Sequence, residues 1–294
     1  IFDDAGKASG TVFAQTVSDD GTGTADTSHN TDYVQDAIIA SNATVPSTIT
    51  LGKGAVLRNF GGMSAVRATG AAKLVMESGS VIEDAPSITR SKGDAGSVGP
   101  AGAVWLQGSD FEMENGAEIK NVNGRAVYVD GGEVTVGGTI SNITGNANMW
   151  QATKKDGTSG TAIHLRGENA SAVLTSTAVI EEISGGGSAV FVTGSGNKLT
   201  TDPGSIIKDV ANTTGIYCSF NSDAQLSGEI TGVKNSIALS LNDSAAAVLK
   251  KEGIICNNAC TTAVVYLRAG AHFKVYGKIN DQRRCFPCDA GAGR

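Results

Sequence analysis

A three-residue segment of the form apolar, any residue, apolar recurs along this chain. It stands at Val66-Arg67-Ala68, Val104-Trp105-Leu106, Val127-Tyr128-Val129, Ile163-His164-Leu165, Val190-Phe191-Val192, Ile216-Tyr217-Cys218, Leu239-Ser240-Leu241 and Val265-Tyr266-Leu267. From one copy to the next the steps are 38, 23, 36, 27, 26, 23 and 26 residues. Self-similarity at a period of 20–50 residues constrains a fold more than any local propensity, because each unit buries its apolar face only against its neighbours.

Each copy is followed by a second alternating segment, as in Leu74-Val75-Met76, Phe111-Glu112-Met113, Val134-Thr135-Val136 and Phe273-Lys274-Val275. A Gly and a third segment come next, in which Ile and one spacer precede Asn or Asp. That third segment reads Ile82-Glu83-Asp84, Ile119-Lys120-Asn121, Ile140-Ser141-Asn142, Ile207-Lys208-Asp209, Ile255-Cys256-Asn257 and Ile279-Asn280-Asp281, with an earlier copy at Leu57-Arg58-Asn59. Three short period-2 strands per unit, punctuated by Gly and Asn, predict an all-β parallel β-helix of about nine coils. Right-handed crossovers are the default for parallel strands. A propeller blade needs about 40 residues and antiparallel hairpins, and a leucine-rich repeat needs a Leu/Asn consensus that is missing here.

The expected division is an N-terminal arm and capping helix over 1–44, the β-helix over 45–281, and a Cys-bearing tail over 282–294. The capping helix is placed at Tyr33 to Ala40, where Val34, Ala37 and Ile38 share one helical face behind Asp32 as N-cap. The two long steps carry their excess at the same corner, Ser87 to Gly102 and Thr144 to Gly160, so both loops leave one face of the coil.

Composition narrows the class further. With 23 Lys+Arg against 29 Asp+Glu the formal charge is −6, which argues against a nucleic-acid groove or a polybasic membrane patch. No window approaches the roughly 18 consecutive apolar residues of a membrane span. Ile1 in place of Met points to a removed leader, and four of five Cys fall between Cys256 and Cys288. Together these predict an extracellular or cell-envelope protein in an oxidising compartment.

Catalytic chemistry finds little purchase. The three His, at 29, 164 and 272, share no spacing with a nucleophile. Asn30-Thr31-Asp32 and Asp19-Asp20 precede the coils, and the Gly-His-Gly and Arg-Ile-Lys motifs of pectin-hydrolysing β-helices are missing. Gly185-Gly186-Gly187 precedes a strand rather than a helix and is no phosphate loop. No catalytic residue, metal site or cofactor is assigned, and the chain is expected not to be an enzyme.

Two features stand out instead. The middle residues of the first segments point outward in one column, which places Trp105, Tyr128, Phe191, Tyr217 and Tyr266 in an aromatic stripe suited to a glycan or a protein partner, or else covered by a loop or the N-terminal arm of the same chain. Cys256, Cys260, Cys285 and Cys288 are spaced C-x3-C and C-x2-C, for which disulfide cross-links within or between chains are expected over a four-thiolate zinc site. Cys218 faces inward as a core thiol. Asn59, Asp84, Asn121, Asn142, Asp209, Asn257 and Asp281 recur at one turn because Asn and Asp tolerate the left-handed conformation, and stacking about 4.8 Å apart turns them into a ladder.

The run Ala126 to Ile143 resembles adhesin-like and pectate-lyase-like β-helix proteins of bacterial and archaeal cell surfaces, over roughly residues 45 to 281. With the Cys-bearing C-terminal end, it resembles more particularly the sheath-forming proteins of filamentous methanogenic archaea. That resemblance implies a structural protein that self-assembles as a homo-oligomer or polymer through coil ends and disulfides. The alternatives are a glycan-binding adhesin, or a polysaccharide-active β-helix enzyme or phage spike.

Overall fold

The computed structural model describes residues 12–14, 38–58, 64–85, 102–145 and 160–280. Among them every regular element is a strand, every strand pairing is parallel, and there is no helix. One turn of the chain runs through three strands, Arg125–Asp130, Glu133–Val136 and Thr139–Thr144. The next repeats it as Thr161–Arg166, Ser171–Leu174 and Val179–Ser184. Each strand pairs with its counterpart one turn away, so the strands stack into three columns of an all-β, β-helix-like solenoid. The first and second columns join into one sheet because the strands Ile38–Leu51 and Val66–Met76 run through both without a break.

The register follows the repeat. In the first column Ile38, Val66, Val104, Val127, Ile163, Val190, Ile216, Leu239 and Val265 are successive partners. In the third, Ile82, Ile119, Ile140, Ile180, Ile207, Ile230, Ile255 and Ile279 follow one another. Like therefore stacks on like, and β-branched residues fill most of the positions where the pleat turns inward, with Leu239 the exception in the first column. Val127, Ile163, Val190, Ile140 and Ile180 are completely buried in one continuous apolar core. A second inward residue after the corner, Val122, Ile143, Ile183 or Val210, closes the third side.

The expected capping helix is corrected where it can be seen. Ile38, Ile39 and Ala40 are strand, in register with Val66, Arg67 and Ala68, and Ile38 N donates to Ala65 O at 3.0 Å. The open edge of the following turn offers these residues a ladder of backbone acceptors, and β-branched Ile gains more there than in a helical turn. The strand thus begins before residue 45; residues 33–37 of the predicted helix lie outside the described residues. Pro46 sits where the register shifts between Asn42 and Ser47, as a residue without an N–H must in a ladder.

Gly132, at φ 101°, shows why Gly punctuates the turns. A Cβ there would run into the Ser109 carbonyl of the turn below, so the close stacking of neighbouring corners depends on its absence.

If the inward columns carry the stability, Ile163→Ala should cost about 2–5 kcal/mol in chemical denaturation. Val190→Asp buries an unpaired charge and should abolish cooperative unfolding. Circular dichroism against denaturant concentration checks both.

Candidate functional site

The outward column of the first sheet is more closed than its sequence suggests. Tyr128, His164, Phe191 and Tyr217 occupy one register position on successive turns. Tyr128 and His164 meet edge to face with centroids 4.9 Å apart, His164 and Phe191 likewise at 4.8 Å, and Phe191 lies flat on Tyr217 at 4.9 Å. Arg67 caps Trp105 with its guanidinium carbon 4.1 Å from the ring centre, and Arg125 stands 5.1 Å from the Tyr128 ring. Turn-to-turn spacing equals ring-contact spacing, so each side chain covers the next. Trp105, Tyr128 and Phe191 are buried as a result, Tyr217 is half-buried, and Tyr266 is exposed. The stripe is therefore a stacked column rather than an open aromatic surface.

His164 is the unusual member. It is fully buried, and neither ring nitrogen has a hydrogen-bond partner. Burial, then the positive charges of Arg125 and Arg166, holds its pKa well below the ordinary imidazole value. The ring is neutral at pH 7 and behaves as one more aromatic in the stack. Tyr128 is pushed upward, chiefly by burial, against the opposing pull of Arg166 and Arg125.

At the corner of the third column, Asp84, Asn121, Asn142, Asp209 and Asn257 all adopt positive φ, between 51 and 56°. Asn121 Nδ2 donates to Asp84 Oδ1 at 3.0 Å, and Asn142 Nδ2 donates to Asn121 Oδ1 at 2.8 Å. Glu182 takes the same conformation between Asn142 and Asp209, at φ 58°, a position that the search for Asn and Asp missed. At the next corner, beyond the end of the third-column strand, Asn235 Nδ2 donates to Asn212 Oδ1 at 3.3 Å. Beside this ladder, half-buried ion pairs link turns, with Lys208 2.8 Å from Glu181 and Arg58 3.1 Å from Glu83. Such pairs contribute little individually. Asn59 and Asp281 lie outside the described residues.

Cys218 is buried in the core, and burial pushes its thiol up to about 12. Cys256 is half-buried on the outward side of the third column, with Sγ 3.4 Å from Glu229 Oε1. Cys260 is half-buried in the turn beyond it. Cys285 and Cys288 lie outside the described residues. Among the described residues no three His, Cys, Asp or Glu side chains gather as metal ligands.

An open notch lies on the ridge between the second and third columns. Ser227-Gly228 forms a two-residue turn, the next turn there is the four-residue Lys250 to Gly253, and the one after is again short, Tyr276-Gly277. Unequal lengths leave a step of about 650 Å³ lined by Ser227, Lys250, Lys251, Glu252 and Tyr276. Tyr276 is exposed, and Lys274 Nζ stands 4.9 Å from its ring centre. Two ammonium groups and an accessible ring face line the notch, with one carboxylate opposing them. Sequence reading passed over these residues because attention to the strands ignores differences in turn length, although the Lys-Lys-Glu-Gly insertion against Ser-Gly was visible in the chain.

No protein-family model matches this chain, and no curated protein sequence does. Among solved structures it is similar to an alginate lyase from Paenibacillus sp. str. FPU-7, at 9% identity and a TM-score of 0.36, over 80% of this chain and 99% of that one. That neighbour is an enzyme, and the expectation that this chain is not one is withdrawn on that finding. The finer resemblance to sheath-forming archaeal proteins has no support from these comparisons.

The buried imidazole yields a pH dependence with a definite sign. Its native pKa lies below the unfolded value of about 6.5, so as pH falls below about 6.5 the unfolded chain takes up a proton that the folded chain refuses. Stability is fully present above that pH and should fall by up to about 1.4 kcal/mol per pH unit below it. His164→Phe keeps an aromatic in the stack and should remove this component between pH 7 and 5.5, as read by denaturation midpoints.

Proposed function

We propose that this chain is an extracellular β-helix that engages an acidic polysaccharide, with the notch at Lys250, Lys251 and Tyr276 as the contact. The observation that supports the reading is the pairing of two lysines with an exposed aromatic face in a recess open along the solenoid side. An ammonium group attracts a uronate or sulfate, while a tyrosine ring takes the C–H face of a sugar and keeps its hydroxyl in water. Strands about 4.8 Å apart also give the surface a repeat of the same order as a sugar residue. Glu252 limits the net charge of the recess and favours a ligand with hydroxyls as well as anions.

Self-association of the same chain is a second reading. It is favoured by the apolar residues exposed on the last described turn.

Retardation in affinity electrophoresis through gels containing alginate, polygalacturonate or neutral dextran tests the first reading. Retardation by the acidic polymers alone, weakened as salt rises, is expected. Lys250→Glu with Lys251→Glu should abolish it without changing the melting temperature. Retardation unaffected by that double change would refute the assignment, and new reducing ends in the same incubations would report cleavage.

A further inference from the structure

Several cations of this solenoid are neutralised at the turn-to-turn step. Lys73 lies 2.7 Å from Glu112, Lys120 3.8 Å from Glu83 and Lys208 2.8 Å from Glu181. The last turns break that pattern. From Val264 to Asn280 the chain carries Arg268, His272, Lys274 and Lys278 and no Asp or Glu. These four residues are exposed, and among the described residues neither they nor Lys250 and Lys251 of the turn before stand in an ion pair.

Alternation orders these groups. Phe273 and Val275 are in register with Ala247 and Leu249, which are buried in the core, so His272 and Lys274 point outward, about 6.5 Å apart along the strand. Their own register partners are Ala246 and Val248, half-buried and uncharged. The second column therefore ends in a basic rail with an apolar shelf beside it. Tyr276 closes one end of the rail, its ring centre 4.9 Å from Lys274 Nζ, and Arg268 stands at the corner beyond the other end. Asp243, on the same corner one turn earlier, is engaged by Asn242 Nδ2 at 2.9 Å, and Asp223 lies one row past the shelf.

The ridge that holds the notch has no such run. Going back along the axis from Lys250, the corresponding turns hold Asp202, Glu114 and Glu77, and no Lys or Arg until Lys53. The turn Lys250 to Gly253 also stands out beyond its two-residue neighbours, a low wall across an axial path.

We propose that the acidic polysaccharide of the notch lies across the solenoid rather than along it, following the last strand from Tyr276 over Lys274 and His272 to Arg268, with its sugar faces on Val248 and Ala246. This rests on the glycan reading of the notch and adds the direction of the chain and its far contacts. The path covers at most about 28 Å of extended backbone, and the corner at Arg268 shortens it to about 20 Å. At a sugar length close to the 4.8 Å step, that takes about four sugar residues. Cations so closely spaced select a uronan charged at every residue over a sparsely charged polymer.

Titration calorimetry of the full chain with oligogalacturonates of two to about eight residues tests this. Affinity that rises up to about four residues and is level beyond is expected. Arg268→Gln with Lys274→Gln changes exposed side chains, so the circular dichroism spectrum and melting temperature should stay unchanged while the longer oligomers bind about tenfold more weakly. Arg268→Gln alone should leave the dimer unaffected, and Asp202→Ser, on the axial route, should change nothing. Affinity that keeps rising with length, tighter binding by Asp202→Ser, or indifference to Arg268→Gln with Lys274→Gln overturns the transverse path and leaves the notch as a glycan site. Failure of every oligomer to bind the unaltered chain overturns the notch reading and the path with it.

Discussion

Everything in this molecule depends on the in-register parallel ladder between successive turns. No single turn has an inside of its own; Val127 is buried only because Val104 and Ile163 lie above and below it in the same column. The ladder fixes a constant step between turns, and that step decides what outward residues can do. Rings at one step stack, amides at one step hydrogen-bond, and opposite charges at one step pair.

That constraint explains how much the sequence revealed. The three segments per unit, their inward residues and their mutual register were legible because period-2 alternation and the recurring Ile-x-Asn corner repeat with little noise. Residues 38–40 were misread because Tyr33 to Ala40 satisfies a helical spacing, and nothing local shows the strand edge that captures Ile38. The register of the aromatic stripe followed from the alternation, but its accessibility was not legible. Outward direction belongs to one strand, whereas cover by Tyr128 over His164 and His164 over Phe191 belongs to the column. The notch escaped for a related reason, since it arises from a mismatch between neighbouring turn lengths that single-unit patterns average away.

The polar features divide by the same logic. Asp84, Asn121 and Asn142 bond to one another, which satisfies groups that could otherwise meet a ligand, and the Glu and Lys side chains of the third column do likewise. Residues left to face outward chemistry are those at irregularities: Lys250 and Lys251 on a longer turn, and Tyr276 beside it. Regularity supplies the framework, and departures from it supply the candidate sites.

Nearest-neighbour pairing also makes length a heritable variable. Residues at equivalent positions in adjacent turns are interchangeable in kind, as Ile140, Ile180 and Ile207 are, so removing or duplicating a whole turn presents the flanking turns with contacts they already make. A gene for such a protein can lengthen or shorten its product by unequal recombination without redesigning a core. Diversity between related chains should then accumulate as differences in turn number and in the insertions at one corner, while the inward columns drift slowly.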